Sequence, residues 1–93
     1  MRIRGAGNKV DGNQKPIVEA LIKVGATVQS LAPVGNGCVD LLVGFRWQNY
    51  LLEVKGEHGK LTKAEEKWLK LWFGPWDIVR TPEEALKAIG AIK

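Results

Sequence analysis

Three charged residues lie within or at the end of two apolar stretches of this sequence. Asp40 stands inside the apolar run 39–43, and Glu53 and Lys55 close the run 50–55. Buried strands rarely carry charges unless those charges are paired or bind an ion. Two carboxylates and one ammonium in this arrangement therefore suggest a divalent-metal site that acts on phosphate groups.

A β-hairpin would bring the three charges together. If Arg46 and Trp47 form the centre of a two-residue turn, paired residues have numbers that sum to 93, and Asp40 lies opposite Glu53. Lys55 follows Glu53 by two residues and so shares its face of the strand. The turn lacks the favoured Asn-Gly pair, and a register shifted by one residue would separate the acids. In that alternative Asp40 begins an edge strand, and the other two charges form a solvated strand end.

Opposed carboxylates repel each other unless a cation lies between them. Mg²⁺ prefers oxygen ligands and usually takes one or two protein carboxylates together with waters and phosphate oxygens. A nearby ammonium can stabilise charge that develops on a phosphorus centre. The pattern favours hydrolysis of phosphodiester bonds with Mg²⁺ or Mn²⁺ as the cofactor.

Length and composition set limits on the protein class. The 93 residues predict one domain over 13–93, preceded by a flexible basic arm over 1–12 that lacks apolar periodicity. A net charge of +4 favours a polyanionic partner such as DNA. The single cysteine, Cys38, excludes an intrachain disulfide and a cysteine-rich zinc site. Without a signal peptide or a long apolar run, we expect a cytoplasmic protein that has no membrane partner.

Capping residues and turn residues mark the ends of the helices and strands and predict the element order α-β-β-β-α-β-α. Asn13 is placed to cap a first helix over 14–24, and capping boxes at 62–65 and 81–84 open the last two helices. The other predicted bounds are strands at 27–31, 39–45, 48–55 and 76–80, and helices at 63–73 and 82–89. A hairpin combined with a helical crossover implies a mixed sheet with helices on its faces. Trp68 and Trp72, at i and i+4, are expected in the core.

The element order and the Asp-x12-Glu-x-Lys pattern resemble the PD-(D/E)xK nuclease superfamily, whose restriction-endonuclease-like core is αβββαβ. The runs 37–44 and 53–56 and the helix start Leu61-Thr62-x-x-Glu65-x-x-Trp68 are similar to a stand-alone VRR-NUC domain of bacteriophage type. This resemblance covers roughly residues 8 to 90. It implies an α/β fold and a metal-dependent DNA endonuclease that acts as a homodimer on branched DNA such as Holliday junctions. A DNA-binding accessory protein that does not cut is the alternative, and a structural dimer is a third.

The resemblance also implies roles for individual residues. Asp40 and Glu53 become metal ligands, with the carbonyl of Val54 as a further ligand, and Lys55 becomes the catalytic lysine. The family's upstream acid falls on Glu19, although helical periodicity turns this residue toward solvent. Either Glu19 borders the sheet and reaches the metal, or it is an ordinary surface glutamate.

Further candidates surround this centre. Glu65 stands where the family commonly has glutamine, and we expect it to cap its helix rather than to act in catalysis. Lys60 and Lys63 flank a helix N-terminus, where phosphate binds readily, and the alternative is a solvated face. The predicted DNA-binding set is Lys9, Lys15, Lys60, Lys63 and His58. Trp47 and Tyr50, at the hairpin tip, suit either a contact between two copies or a stacking surface, and we expect the former.

Overall fold

The computed structural model describes residues 12–93. The helices are α1 (Gln14–Lys23), α2 (Lys63–Leu71) and α3 (Pro82–Ala88); the strands are β1 (Thr27–Ser30), β2 (Leu41–Phe45), β3 (Gln48–Val54) and β4 (Asp77–Val79); a 3-10 turn spans Ala32–Val34. The predicted α-β-β-β-α-β-α order is confirmed for these residues. The predicted basic arm lies outside them, apart from Gly12.

The four strands form one mixed sheet in the order β1-β2-β3-β4. The pairs β1–β2 and β2–β3 are antiparallel, and β4 runs parallel to β3. A parallel neighbour requires a crossover, which α2 and its flanking loops supply. The fold is therefore α/β with a mixed sheet, as the sequence predicts.

Side chains alternate between two faces of this sheet. On one face Leu41, Val43, Leu52 and Val54 are buried, and this face packs against α1 and α3. Further members of the core are Ile17, Leu21, Phe45, Val79, Ala85 and Ile89. The opposite side, which we call the outer face, carries Thr27, Gln29, Leu42, Gly44, Asn49 and Leu51.

The hairpin turn has the predicted centre and register. Arg46 and Trp47 both adopt left-handed backbone angles, with φ of 50° and 66°, as a type I′ turn requires. Phe45 pairs with Gln48, and Leu41 pairs with Leu52. The Arg46 guanidinium lies 4.7 Å from the Phe45 ring centre. It also donates a hydrogen bond to the Gly90 carbonyl at 3.4 Å, which ties the turn to the end of α3.

At the N-termini of α1 and α3 the hydrogen bonds differ from the predicted capping bonds. The Asn13 side chain makes no capping bond to α1, and its Oδ1 has no hydrogen-bond partner among the described residues. Its Nδ2 donates to the ends of two strands, as described below. The α3 capping box is half formed. Thr81 Oγ1 accepts from the Glu84 backbone N–H at 3.0 Å, but Glu84 Oε1 accepts from the N–H of Arg80.

The prediction that Trp72 belongs to the core is wrong. Helix α2 ends at Leu71, two residues early, and Trp72 is extended and 44% exposed. Its ring stacks on that of Trp68 with centres 4.9 Å apart, and Leu69 is the buried residue of the helix. The core face of the sheet is filled by α1 and α3, so these rings pack on each other.

Between residues 12 and 93 no helix has the length and apolar character needed to cross a bilayer.

Candidate active site

Asp40 lies where the hairpin register continues beyond β2. The pairing of Leu41 with Leu52 places Asp40 opposite Glu53 on the side of the outer face. Asp40 Oδ2 accepts a hydrogen bond from the Val54 N–H at 2.7 Å, and its backbone carbonyl accepts from Leu31 at 2.8 Å. These bonds hold the carboxylate between β1 and β3.

Glu53 is the buried acid of the site. Its side chain is 1% exposed, and neither carboxylate oxygen has a hydrogen-bond partner among the described residues. Burial, with the charge of Asp40 added, raises the pKa of Glu53 to about 9. The pKa of Asp40 is also raised by burial, although the Val54 hydrogen bond opposes the shift. In the absence of a cation Glu53 therefore holds a proton at neutral pH.

Lys55 lies between two glutamates. Its Nζ is 3.3 Å from Glu53 Oε2 and 2.7 Å from Glu65 Oε1. Burial alone would lower the pKa of Lys55, but the hydrogen bond and charge of Glu65, together with Glu53, outweigh it and raise the pKa. The lysine remains an ammonium in this setting.

Glu65 both caps its helix and binds the lysine. The same Oε1 that contacts Lys55 accepts from the Thr62 N–H at 2.8 Å, and Thr62 Oγ1 accepts from the Glu65 N–H at 3.1 Å. Burial would raise the pKa of Glu65, but its hydrogen bonds to Lys55 and Thr62 outweigh that effect and lower the pKa. The capping prediction is confirmed, and the contact with Lys55 adds a second role that sequence reasoning missed.

The α1 residues near this site are Asn13 and Gln14. Asn13 Nδ2 donates to the carbonyl of Lys55 at 2.8 Å and to that of Arg80 at 2.7 Å, so it joins the ends of β3 and β4. Gln14 is buried and lines the cavity beside Asp40. Sequence reasoning assigned Asn13 only a capping role and passed over Gln14, although Gln14 is a polar residue on the apolar stripe of α1, which is a usable signal.

Glu19 lies elsewhere on α1. It is exposed, and at 100° per residue it lies about 140° around the helix from Gln14. The position of Glu19 does not support a metal-ligand role, and Gln14 is the α1 residue that borders the site.

A cavity of about 280 Å³ opens beside Asp40. Its lining comes from Gln14, Ala32, the loop 35–38, Asp40, Thr62, Ala64 and Glu65. Gly37 fixes the shape of this loop, since a Cβ there would lie 2.2 Å from the Ala64 carbonyl oxygen and the backbone φ is +81°. Cys38 also borders the cavity, where burial, with Glu53 and Asp40 adding to it, raises the pKa of its thiol.

The remaining predicted residues lie around this centre. Val54, whose carbonyl is implied as a ligand, is buried between Glu53 and Lys55 at the end of β3. Lys15, Lys60, Lys63 and His58 are exposed, and Lys9 lies outside the described residues. His58 is 3.9 Å from Glu57, with both side chains in solvent.

The two carboxyl groups of the site fit the ligand preference of a small divalent cation. Within residues 12–93 no three His, Cys, Asp or Glu side chains form a metal cage, but Mg²⁺ usually takes only one or two protein carboxylates. Glu53 faces Asp40, and neither of its oxygens is hydrogen-bonded among the described residues, although Oε2 forms an ion pair with Lys55. Asp40 and Glu53 are the residues that would hold such an ion.

Comparison of the chain with protein-family models, with curated proteins and with solved structures gave no match. The resemblance to VRR-NUC domains therefore stays a prediction from the residues.

Proposed function

We propose that this protein is a metal-dependent DNA endonuclease of the VRR-NUC type, with a restriction-endonuclease-like core, that hydrolyses phosphodiester bonds in branched DNA. The observation that carries the proposal is the buried carboxylate of Glu53. It faces Asp40, its Oε2 forms an ion pair with the Lys55 ammonium at 3.3 Å, and its Oε1 has no partner among the described residues. Such a group is costly for folding and is typical of a functional site.

The three residues divide the work between binding an ion and stabilising charge. Asp40 and Glu53 would hold Mg²⁺ or Mn²⁺, which when bound supplies polarisation of the phosphate and an activated water. The Lys55 ammonium would stabilise negative charge on the phosphate oxygens during hydrolysis. Glu65 and Asn13 hold this lysine from two sides, the first through its Nζ and the second through its carbonyl.

The positive charge around the site supports DNA as the substrate. Lys60 and Lys63 are exposed at the N-terminus of α2, whose Glu65 contacts Lys55. Lys15 is exposed next to Gln14, which lines the cavity. Backbone phosphates bind such lysines without regard to sequence, which agrees with selection by DNA shape.

The proposed active form is a homodimer. One site of this kind cuts one strand, so paired cleavage of a four-way junction requires two copies. Sedimentation of the free protein and of its junction complex measures this directly.

Cleavage of labelled DNA tests the proposal. Four-way junction, flap and duplex substrates should be incubated with Mg²⁺, with Mn²⁺ and with EDTA, and we expect metal-dependent cuts in the branched substrates. Lys55→Ala should slow cleavage by roughly 100- to 1000-fold, and Asp40→Asn and Glu53→Gln should slow it at least as much. Glu66→Gln, which changes an exposed acid beside Glu65, should cut at the parent rate.

Two results would contradict the proposal. One is the absence of cleavage with either metal on every substrate, which with retained binding would favour the non-cutting accessory protein. The other is cleavage by Asp40→Asn at the parent rate.

A further inference from the structure

Trp47 occupies a backbone position that is unfavourable for a tryptophan. Its φ is 66° in a turn where glycine or asparagine would fit without strain. Its side chain is 104% exposed, so burial does not compensate for the strain. Local strain without a packing benefit is a reason to look for a function.

The outer face connects Trp47 with the candidate active site. Along β2 the same face carries Leu42 and Gly44, and Asp40 continues it one residue before the strand, because side chains alternate with period two. Across the strands Leu42 aligns with Gln29 and Leu51. The face thus runs without interruption from Asp40 to the hairpin turn, a length of about 17 Å at roughly 3.4 Å per residue.

A cavity of about 620 Å³ lies on this face at the end nearest the turn. Its lining residues are Gly25, Thr27, Gln29, Leu42, Gly44, Phe45, Arg46, Trp47, Gln48 and Asn49. The set contains no acid. On the outer face it presents the hydroxyl of Thr27 and the amides of Gln29 and Asn49, with the exposed ring of Trp47 at the turn. The Arg46 guanidinium lies over the Phe45 ring and donates to Gly90 on the other side of the sheet. Gly44 places no side chain on the floor of the cavity.

These properties match a single strand of DNA better than a protein partner. Side-chain amides suit base edges, an exposed ring stacks on any base, and a surface without acids does not repel the phosphates of the strand. The length of the face corresponds to about five stacked nucleotides at roughly 3.4 Å each. Tyr50, by contrast, is half-buried: its hydroxyl donates to Gln48 Oε1 at 3.0 Å and its ring packs against the core. The hairpin tip therefore presents only the ring of Trp47 and offers little area for contact with a second copy.

We propose that the outer face binds one DNA strand leading away from the cleaved phosphate, and that Trp47 stacks on an unpaired base of that strand. This inference rests on the proposed nuclease function and specifies its substrate. The preferred DNA has a single-stranded arm within about five nucleotides of the cut. A fully paired duplex cannot offer such a base without unstacking it.

Binding measured without cleavage tests the inference separately from the enzymatic activity. Fluorescence anisotropy in EDTA should compare a blunt duplex with the same duplex carrying a single-stranded arm. Trp47→Gly should weaken binding to the armed DNA by about tenfold or more and leave duplex binding within twofold, as expected for one lost stacking contact. Trp47→Phe should retain most of the affinity.

Two controls distinguish stacking from folding and from nonspecific ring effects. Trp47→Gly should melt at the same or a higher temperature than the parent, because glycine accepts the left-handed angle. Phe73→Ala removes another ring that is almost fully exposed, outside the sheet, and should leave affinity for the armed DNA unchanged.

Three outcomes would overturn the inference. The first is equal affinity of Trp47→Gly and the parent for armed DNA. The second is a loss of affinity with Phe73→Ala as large as that with Trp47→Gly. The third is a lower molar mass of Trp47→Gly than of the parent in sedimentation, which would make the tip a contact between copies. Failure of the proposed function gives a different result, since the parent would then bind armed DNA through Trp47 but cut nothing with Mg²⁺ or Mn²⁺.

Discussion

Asp40 Oδ2 accepts a hydrogen bond from the backbone N–H of Val54 at 2.7 Å, so the aspartate is tied to the strand whose Glu53 it faces. One carboxyl group therefore serves the hairpin and the candidate metal site together. Its structural and chemical contributions can be separated by substitution, because an amide oxygen can accept the same bond without carrying a charge.

Asp40→Asn should keep the stability of the fold and lose the activity, whereas Asp40→Ala should lose the activity and part of the stability. The alanine leaves the Val54 N–H without its partner, which should lower the free energy of unfolding by about 1 to 3 kcal/mol relative to Asp40→Asn. Urea denaturation in EDTA measures the difference. Equal stability of the two variants would show that the Val54 bond contributes little.

The stability of the metal-free protein should fall as pH rises, through the contribution of Glu53. Its pKa is raised from 4.5 to about 9, so between these values the unfolded chain has lost the proton that the folded chain keeps. Fewer protons bound in the unfolded state means that the free energy of unfolding decreases with pH. Glu53→Gln should remove this decrease and stabilise the protein at pH 8 by about 1 to 3 kcal/mol. Urea titrations in EDTA from pH 5 to 9 would contradict this if parent and variant lose stability in parallel.

Binding of Mg²⁺ or Mn²⁺ should release a proton from the same site. Glu53 must lose its proton to act as a ligand, so metal affinity should rise by about tenfold per pH unit toward pH 9. Calorimetry at pH 7 in two buffers of different ionisation enthalpy should give about one proton released per ion. Glu53→Gln should bind the metal weakly and release none, and proton release unchanged in that variant would assign it to another group.

Glu65 should hold Lys55 independently of its capping role. Glu65→Gln keeps an acceptor for the Thr62 N–H but removes the charge, so the pKa of Lys55 should fall. Thr62→Ala removes the cap and should lower the free energy of unfolding by about 0.5 to 2 kcal/mol, while the contact of Glu65 with Lys55 keeps the lysine pKa raised. An NMR titration of the Lys55 side chain measures the lysine pKa in both variants. A lysine pKa that moves equally in the two variants would mean that the cap, rather than the charge, sets it.

Asn13 should stabilise the protein through the two strand ends that it joins. Asn13→Ala leaves the carbonyls of Lys55 and Arg80 without this donor, and should lower the free energy of unfolding by about 1 to 3 kcal/mol. Asn49→Ala, at an exposed position on β3, provides the matched control and should change it by less than about 0.5 kcal/mol. Equal urea midpoints for the two variants would contradict a bridging role for Asn13.

Local rules in the sequence were enough for the elements and for the pairing of the hairpin. Apolar periodicity and capping residues predict three helices and four strands in the order observed, and a turn centred on Arg46 and Trp47 predicts the register that aligns Asp40 with Glu53. These features depend on neighbours within a few residues or on one short turn, and such contacts can be read from spacing. The same rules place Glu19 on the solvent side of α1, where the structure has it.

Contacts between distant segments were decided only by the tertiary structure. The Asn13 amide bonds to strand ends 42 and 67 residues away, and Glu65 contacts Lys55 from a separate helix. Likewise, Trp72 has the spacing of a core residue, yet α2 ends at Leu71 and leaves Trp72 extended and exposed. Periodicity describes the faces of one element, whereas the partner of each face depends on how all the elements pack. The charged residues of the site could therefore be found from the sequence, but the residues that hydrogen-bond to them could not.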